Sequence, residues 1–248
     1  MGKFKLIVAV LLCGLIVACN FTEEIHFKKD GSGKMNIHFD GNEMMAALGA
    51  MGDSTAKEEV MDSTIVFKDF FEKKADSIAK LPLEEQEKLK KLEPFSLHIA
   101  MDAKEEKLSF DLFSEFKNVS EVNDAFNTFQ EASALGPKPG KDSPSSTMPS
   151  SEPATKVSYS FSKNVFTRKT EIIDQELFQK GLDSLQGTEM FLSGSTYTFK
   201  YHFPSRVKST NVEGATFSMD GKTMIYEVNF LEMMKNPEGV EIEVELEK

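Results

Sequence analysis

The chain has 248 residues, with 40 acids against 29 bases and a formal charge of −11. That balance excludes nucleic-acid partners, because phosphate recognition needs a basic face and the dense basic run, Lys88 to Lys91, lies among acids. The 21 Phe against 4 Tyr and no Trp point to aromatic weight used for filling a core.

Lys3 and Lys5 precede a run from Leu6 to Ala18 in which only Gly14 is not apolar. This is the layout of a secretory signal peptide over residues 1–18, and the run is too short for a membrane-spanning helix, which needs about 20 apolar residues. Ile16-Val17-Ala18-Cys19 resembles the lipobox of bacterial lipoproteins. The resemblance implies cleavage after Ala18 and lipidation of Cys19, which would become the first mature residue. Cys13 leaves with the signal peptide, so the folded part has neither a disulfide nor a Cys-based metal site. Loss of Lys3 and Lys5 takes the side-chain charge from −11 to −13.

Along the mature chain, Glu24 to Phe39 reads as a β-hairpin about Asp30-Gly31-Ser32-Gly33. A three-residue loop would set Phe27 opposite Ile37, Ile25 opposite Phe39 and His26 opposite His38. Glu43 to Met51 reads as a Met- and Ala-rich helix, followed by a polar loop, Gly52 to Glu59. The spacing of Phe67, Phe70, Phe71 and Ile78 predicts a helix over 63–80, and Leu83 to Leu92 a second one after Pro82. Phe95 to Met101 and Leu108 to Phe116 alternate as another hairpin. Ser120 is the expected N-cap of a helix running to about Ala132 and burying Val122, Phe126 and Phe129.

The stretch 136–155, with Pro137, Pro139, Pro144, Pro149 and Pro153 among serines, has too little apolar surface to offset its ordering and reads as a linker. It separates an N-terminal α+β block, 19–135, from a mostly β block, 156–248. Strands are expected at Val157 to Phe161 and Val165 to Ile172, and a helix at Gln175 to Leu185, ended by Gly187. Strand, strand, helix thus occurs on both sides of the linker, either as a duplicated ββα unit or by coincidence. Further strands are expected at Thr196 to Phe203, Ala215 to Met219, Met224 to Phe230 and Val240 to Leu246. The fold class is α+β, with antiparallel hairpins forming one or two sheets and amphipathic helices packed on one face.

Chemistry is sparse. No nucleophile elbow, P-loop or dinucleotide fingerprint is present, and no helix carries metal-ligand His spacing. His26 opposite His38 is the arrangement that two imidazoles need to share a transition metal, with Glu24 or Asp40 as third ligand. The alternative is two polar residues on a solvated strand face. The acid pairs Glu23-Glu24, Glu58-Glu59, Glu84-Glu85 and Glu105-Glu106 read as exposed, with no burial to raise a pKa for glycosidase work. Met44, Met45 and their neighbours either receive an apolar ligand or pack into the core. No cofactor is implied.

Through Glu23-Glu24-Ile25, the Asp30-to-Gly33 turn, Phe203-Pro204 and Asp220-Gly221-Lys222-Thr223, the chain resembles an uncharacterised lipoprotein family of the Bacteroidetes. A hairpin just after the lipid Cys and a late strand ending in Phe203-Pro204, with Val207 nearby, also resemble LppM-type lipoprotein domains, for which envelope lipid binding has been proposed. The linker and the 40–92 helical insertion depart from that pattern, so no binding residue is carried over. That bacterial group also glycosylates Asp-Ser/Thr-apolar or Asp-Ser/Thr-Thr sequons, which implies Ser54 as an acceptor in Asp53-Ser54-Thr55. Asp62-Ser63-Thr64, Asp76-Ser77-Ile78 and Asp183-Ser184-Leu185 fit the same pattern. The reading is a non-catalytic, extracytoplasmic envelope lipoprotein on the outer membrane, tethered through Cys19 and presenting an acidic domain to a protein or lipid partner. The alternatives are a carrier of lipid or another apolar ligand, and a metal-dependent hydrolase using His26 and His38.

Overall fold

The computed structural model describes residues 20–50, 60–128, 153–185 and 189–248. The expected signal peptide with Ala18 and Cys19, the expected Ser54 sequon, Gly187 and nearly all of the expected linker lie outside them. In chain order come β1 (Asn20–Phe27), β2 (Gly33–Asp40), α1 (Asn42–Ala50), β3 (Val60–Val66), α2 (Phe67–Lys73), α3 (Ala75–Ile78), α4 (Leu83–Leu92), β4 (Ser96–Asp102) and β5 (Lys107–Phe116). A 3₁₀ turn (Val119–Val122), β6 (Thr155–Ser162), β7 (Val165–Ile172), α5 (Gln175–Leu185), α6 (Glu189–Leu192), β8 (Thr196–His202), β9 (Val207–Thr210) and β10 (Thr216–Phe217) follow. The chain closes with β11 (Thr223–Asn229), α7 (Phe230–Lys235), a 3₁₀ turn (Pro237–Gly239) and β12 (Ile242–Leu246).

The fold is α+β. A main sheet of eight strands runs in the order β10-β11-β8-β1-β2-β5-β4-β3, and a second sheet of four runs β6-β7-β12-β9. The strands that follow the linker do not build a core of their own, since β8, β11 and β10 complete the sheet begun by β1 to β5. One pairing departs from the antiparallel expectation. β1 and β8 run parallel, from Asn20↔Thr196 to His26↔His202. A parallel pair needs a long crossover, and here the crossover is most of the chain, β6 and β7 of the second sheet included.

The first hairpin keeps its expected faces but not its register. Phe27 pairs with Gly33, Ile25 with Met35 and His26 with Lys34, while His38 lies opposite Thr22. His26 and His38 are therefore not cross-strand partners. The turn is centred two residues earlier than expected: Lys28 N donates to the Ser32 carbonyl (2.7 Å), Gly31 takes a left-handed φ of 83°, and the Asp30 carboxylate accepts from Ser32 N (3.0 Å). Gly33 belongs to the strand, where a Cβ would meet the His26 carbonyl and the Phe116 ring. The slip moves each partner by an even number of residues, so the inward set is preserved.

The helix expected from Ser63 begins at Phe67. Val60–Val66 is instead an edge strand paired with β4, in keeping with the β-branched run Thr64-Ile65-Val66. The helix expected from Ser120 is interrupted. Asn118 is the cap, accepting from Ser120 N (3.0 Å) while Glu121 accepts from Asn118 N (3.2 Å). One turn later, Asn123 and Asp124 turn their side chains to the edge of β6, accepting from Tyr159 N (2.8 Å) and Val157 N (2.6 Å). Such local acceptors compete with helix propagation, and Asp124 takes a φ of 58° before residues 125–128 resume the helix. α4 and α5 span the expected residues, whereas β9 and α7 carry no sequence pattern strong enough to announce them.

The core lies between the inward faces of the two sheets. Along β1 the inward residues are Phe21, Glu23, Ile25 and Phe27, all buried. Phe21 gathers Phe39, Phe126, Tyr197 and Phe230, with ring centroids 4.6–6.1 Å away. Phe27 gathers Phe116, Phe161, Phe166 and Phe203 at 4.9–5.8 Å. Glu23 sits between these two aromatic groups, fully buried, against the expectation that the Glu23-Glu24 pair is exposed. Its partner is Arg168 of β7, 4% exposed, whose Nε lies 3.3 Å from Glu23 Oε1. Tyr201 and Tyr197 donate their hydroxyls to the same carboxylate at 2.6 and 3.0 Å. Arg168 Nη1 donates to Thr170 Oγ1 (3.0 Å) and to the Val240 carbonyl (3.3 Å), and its Cζ lies 4.7 Å from the centroid of the Phe199 ring. Burial alone lowers the guanidinium pKa, but the facing carboxylate overrides this and holds the group charged.

Breaking one side of a buried ion pair costs about 3–5 kcal/mol, because a charge is left without compensation. Arg168→Met is expected to cost that much. Adding Glu23→Gln should bring the total well below the sum of the two single variants, since an amide oxygen still accepts from Tyr197 and Tyr201. Urea unfolding of the four proteins measures the coupling, and additive costs would show that the pair does not act as a pair.

Candidate functional site

Strand alternation sends the other residues of the main sheet outward, and all four histidines lie on this outer face. β1 contributes Thr22, Glu24 and His26, β2 contributes Lys34, Asn36 and His38, β5 Asp111, β4 His98, and β8 Lys200 and His202. Registers across five adjacent strands collect these side chains into two clusters, because residues with matched register sit about 5 Å apart across a ladder.

The first cluster stands on β8, β1 and β11. His26 and His202 are register partners and stack face to face, with ring centroids 3.9 Å apart and planes inclined by 2°. Glu24 Oε1 lies 2.7 Å from His202 Nε2, 3.3 Å from His26 Nε2 and 3.0 Å from Lys200 Nζ. His202 Nδ1 is 3.0 Å from Thr223 Oγ1. Burial alone raises the Glu24 carboxyl pKa, but Lys200 and His202 outweigh it and hold the group below the ordinary carboxylate value. His26 is lowered by partial burial and then by the neighbouring His202. Glu24, His26 and His202 form a group of potential metal ligands whose donor atoms all lie within 4.8 Å of one another.

The second cluster centres on Asp111, which lies opposite His38 on one side and His98 on the other. His38 Nδ1 is 2.9 Å from Asp111 Oδ1, and Asn36 Nδ2 donates to the same oxygen at 2.8 Å. His98 Nδ1 is 4.0 Å from Asp111 Oδ2, while its Nε2 lies 3.0 Å from Asp62 Oδ1. The hydrogen bond to Asp111 raises the His38 pKa above its ordinary value.

The metal arrangement expected of His26 with His38 is thus corrected. The two rings belong to different clusters, and the partner of His26 is His202, with Glu24 as the shared carboxylate. No sequence spacing links His26 to His202, because the two strands meet only through the β1–β8 pairing. Met44 and Met45 pack against the core, while the other sequons fall on β3, on α3 and at the end of α5. An apolar groove of about 400 Å³ lies among α2, α3 and α4, lined by Phe71, Ile78, Leu83 and Leu89. Among the described residues, no helix is long and apolar enough to cross a membrane.

No protein-family model matches the chain, and no curated protein does. Among solved structures, the NMR structure of the folded domain of the Mycobacterium tuberculosis protein LppM is similar at 8% identity and a TM-score of 0.42, covering 92% of this chain and 89% of that one.

The His38–Asp111 contact carries a pH dependence of defined sign. A histidine raised in the folded state adds stability that is fully present below its unfolded pKa, about 6.5, and is lost as pH rises through the folded value. Melting curves of wild type and His38→Asn between about pH 6 and 9 are expected to differ most at the acid end and to converge toward the alkaline end. A difference that grows with pH would reverse the assignment.

Proposed function

We propose that the protein is a non-catalytic envelope lipoprotein, tethered through Cys19 on the extracytoplasmic side of the outer membrane, that presents the outer face of its main sheet to a protein or lipid partner. The observation that carries this reading is the position of the lipobox-like run. Ile16-Val17-Ala18-Cys19 ends one residue before Asn20, where the strand at the centre of the main sheet begins. Consecutive Cα atoms are 3.8 Å apart, so a lipid on Cys19 would hold the end of the sheet at the bilayer without an intervening linker. Acyl chains contribute about 0.8 kcal/mol for each buried CH₂, and more than one chain gives stable anchoring without a spanning helix.

The interior supports a presented surface over an internal carrier site. Tyr197, Tyr201, Phe166 and Phe199 are fully buried and fill the space between the sheets. The outer face carries the histidine and carboxylate clusters, with Phe113 and Ile225 exposed beside them.

One observation favours the carrier reading. The groove among α2 to α4 has the apolar lining and the size that a small hydrophobic ligand needs. Native mass spectrometry of the protein extracted from its own envelope separates the two. A bound lipid released by Phe71→Glu supports the carrier, and a bound macromolecule without lipid supports presentation.

Cys19→Ala is expected to move the protein out of the membrane fraction, or to leave it unprocessed. Efficient processing with unchanged membrane association would overturn the tether.

A further inference from the structure

We propose that Glu24, His26 and His202 form a binding site for a divalent first-row transition ion, with Zn²⁺ the ion to test. The site is independent of how the protein is anchored. Its basis is a grid. Glu24 and His26 are two apart on one strand and so face the same side, and His202 stands at the register position of His26 on the parallel neighbour. Three side chains rising from adjacent grid points of a central strand pair converge above the sheet without any loop having to order.

The distances suit an ion of this class. Zinc bonds of about 2.0–2.2 Å at tetrahedral angles put neighbouring ligand atoms about 3.4 Å apart. Here Glu24 Oε1 is 3.3 Å from His26 Nε2 and 2.7 Å from His202 Nε2. The two imidazoles stack with parallel planes 3.9 Å apart between centroids, so closing around an ion asks both rings to turn until their lone pairs converge, a side-chain rotation that leaves the backbone ladders in place. Two imidazoles and one carboxylate are a donor set that suits zinc and its neighbours and disfavours calcium or magnesium, which seek oxygen.

Thr223 completes the arrangement. Its hydroxyl lies 3.0 Å from His202 Nδ1. When that nitrogen carries the proton and donates to Thr223, the Nε2 lone pair is free to point at the ion, the orientation that metal-bound histidines take from an outer partner. Because the face is open to solvent, a fourth position is left for water or for a donor atom from a partner.

Lys200 is the competitor. Its ammonium lies 3.0 Å from the same Glu24 oxygen that the ion would use. The side chain is 37% exposed on a flexible stem and can swing away, so binding exchanges one cation for another. This sets a sign that a chance surface chelate would not share: removing the lysine charge tightens binding.

The test uses the full mature protein in detergent, stripped with EDTA and titrated with ZnCl₂. Calorimetry is expected to show one site, with melting raised by several degrees at saturation. His202→Gln and Glu24→Gln should abolish the site, Thr223→Val should weaken it by about 10–100-fold, and Lys200→Met should strengthen it. His38→Gln should change nothing. Imidazole ¹⁵N spectra provide a readout that does not depend on variant folding, since Zn²⁺ should shift the His26 and His202 signals and spare His38 and His98. No binding, binding that survives His202→Gln, or shifts confined to His38 and His98 would overturn the proposal.

Discussion

The buried contact between Glu23 and Arg168 is the constraint around which the molecule is arranged. Its residues are 145 apart in sequence and come from different sheets, so the ion pair fixes how the two layers face each other. An isolated charge in such a place would be prohibitively unfavourable. Here the carboxylate is met by a guanidinium and two phenols, and the guanidinium by a hydroxyl, a carbonyl and an aromatic face. The phenols answer to the same environment, since burial and then the charge of Glu23 push the pKa values of Tyr197 and Tyr201 far up, keeping them donors. Aromatic groups around Phe21 and Phe27 close the polar centre at both ends and exclude water. A hydrophobic core needs only bulk, whereas this one also needs registration, because a shifted sheet would strand a charge.

β1 thereby serves two environments with one alternation. Glu23 and Glu24 are neighbours in sequence and chemically alike, yet one binds the layers together while the other organises the outward cluster of His26, His202 and Lys200. The pleat alone separates their roles. The same strand places the outer face over the central ladder of the main sheet, hydrogen-bonded on both sides, which suits a surface whose groups must hold their spacing.

Much of this architecture was legible from local pattern. The hairpins of β4 with β5 and of β6 with β7, together with α4 and α5, follow from alternation, helical spacing and punctuation by Pro82. What escaped depends on distant residues. The register of the first hairpin turns on Gly33 making room for Phe116, and β3 is a strand because β4 is there to pair with it. Asn123 and Asp124 stop a helix because the edge of β6 offers them donors. Glu23 reads as a surface acid in any window that omits Arg168. The outward cluster was half visible: Glu24 and His26 were both singled out, but His202 joins them only through a parallel pairing that no spacing rule encodes. His38 looked like the partner because the expected turn was centred two residues too late.

That parallel pairing also shapes how the chain reaches its fold. Thr196 and Asn20, joined at the start of the β1–β8 ladder, are 176 residues apart. Native contacts of such separation slow folding, since loop closure must precede their reward. At synthesis rates of roughly 5–20 residues per second, β1 waits on the order of ten seconds or longer for its second neighbour to exist. During that interval one edge of β1 is unpaired, and until Arg168 is made Glu23 has no counter-charge. A nascent form with β1 and β2 alone therefore has no reason to close, and the chain remains open until nearly all of it is available. Closure of the main sheet is thus a late event, deferred until residues 196–202 can seat beside β1.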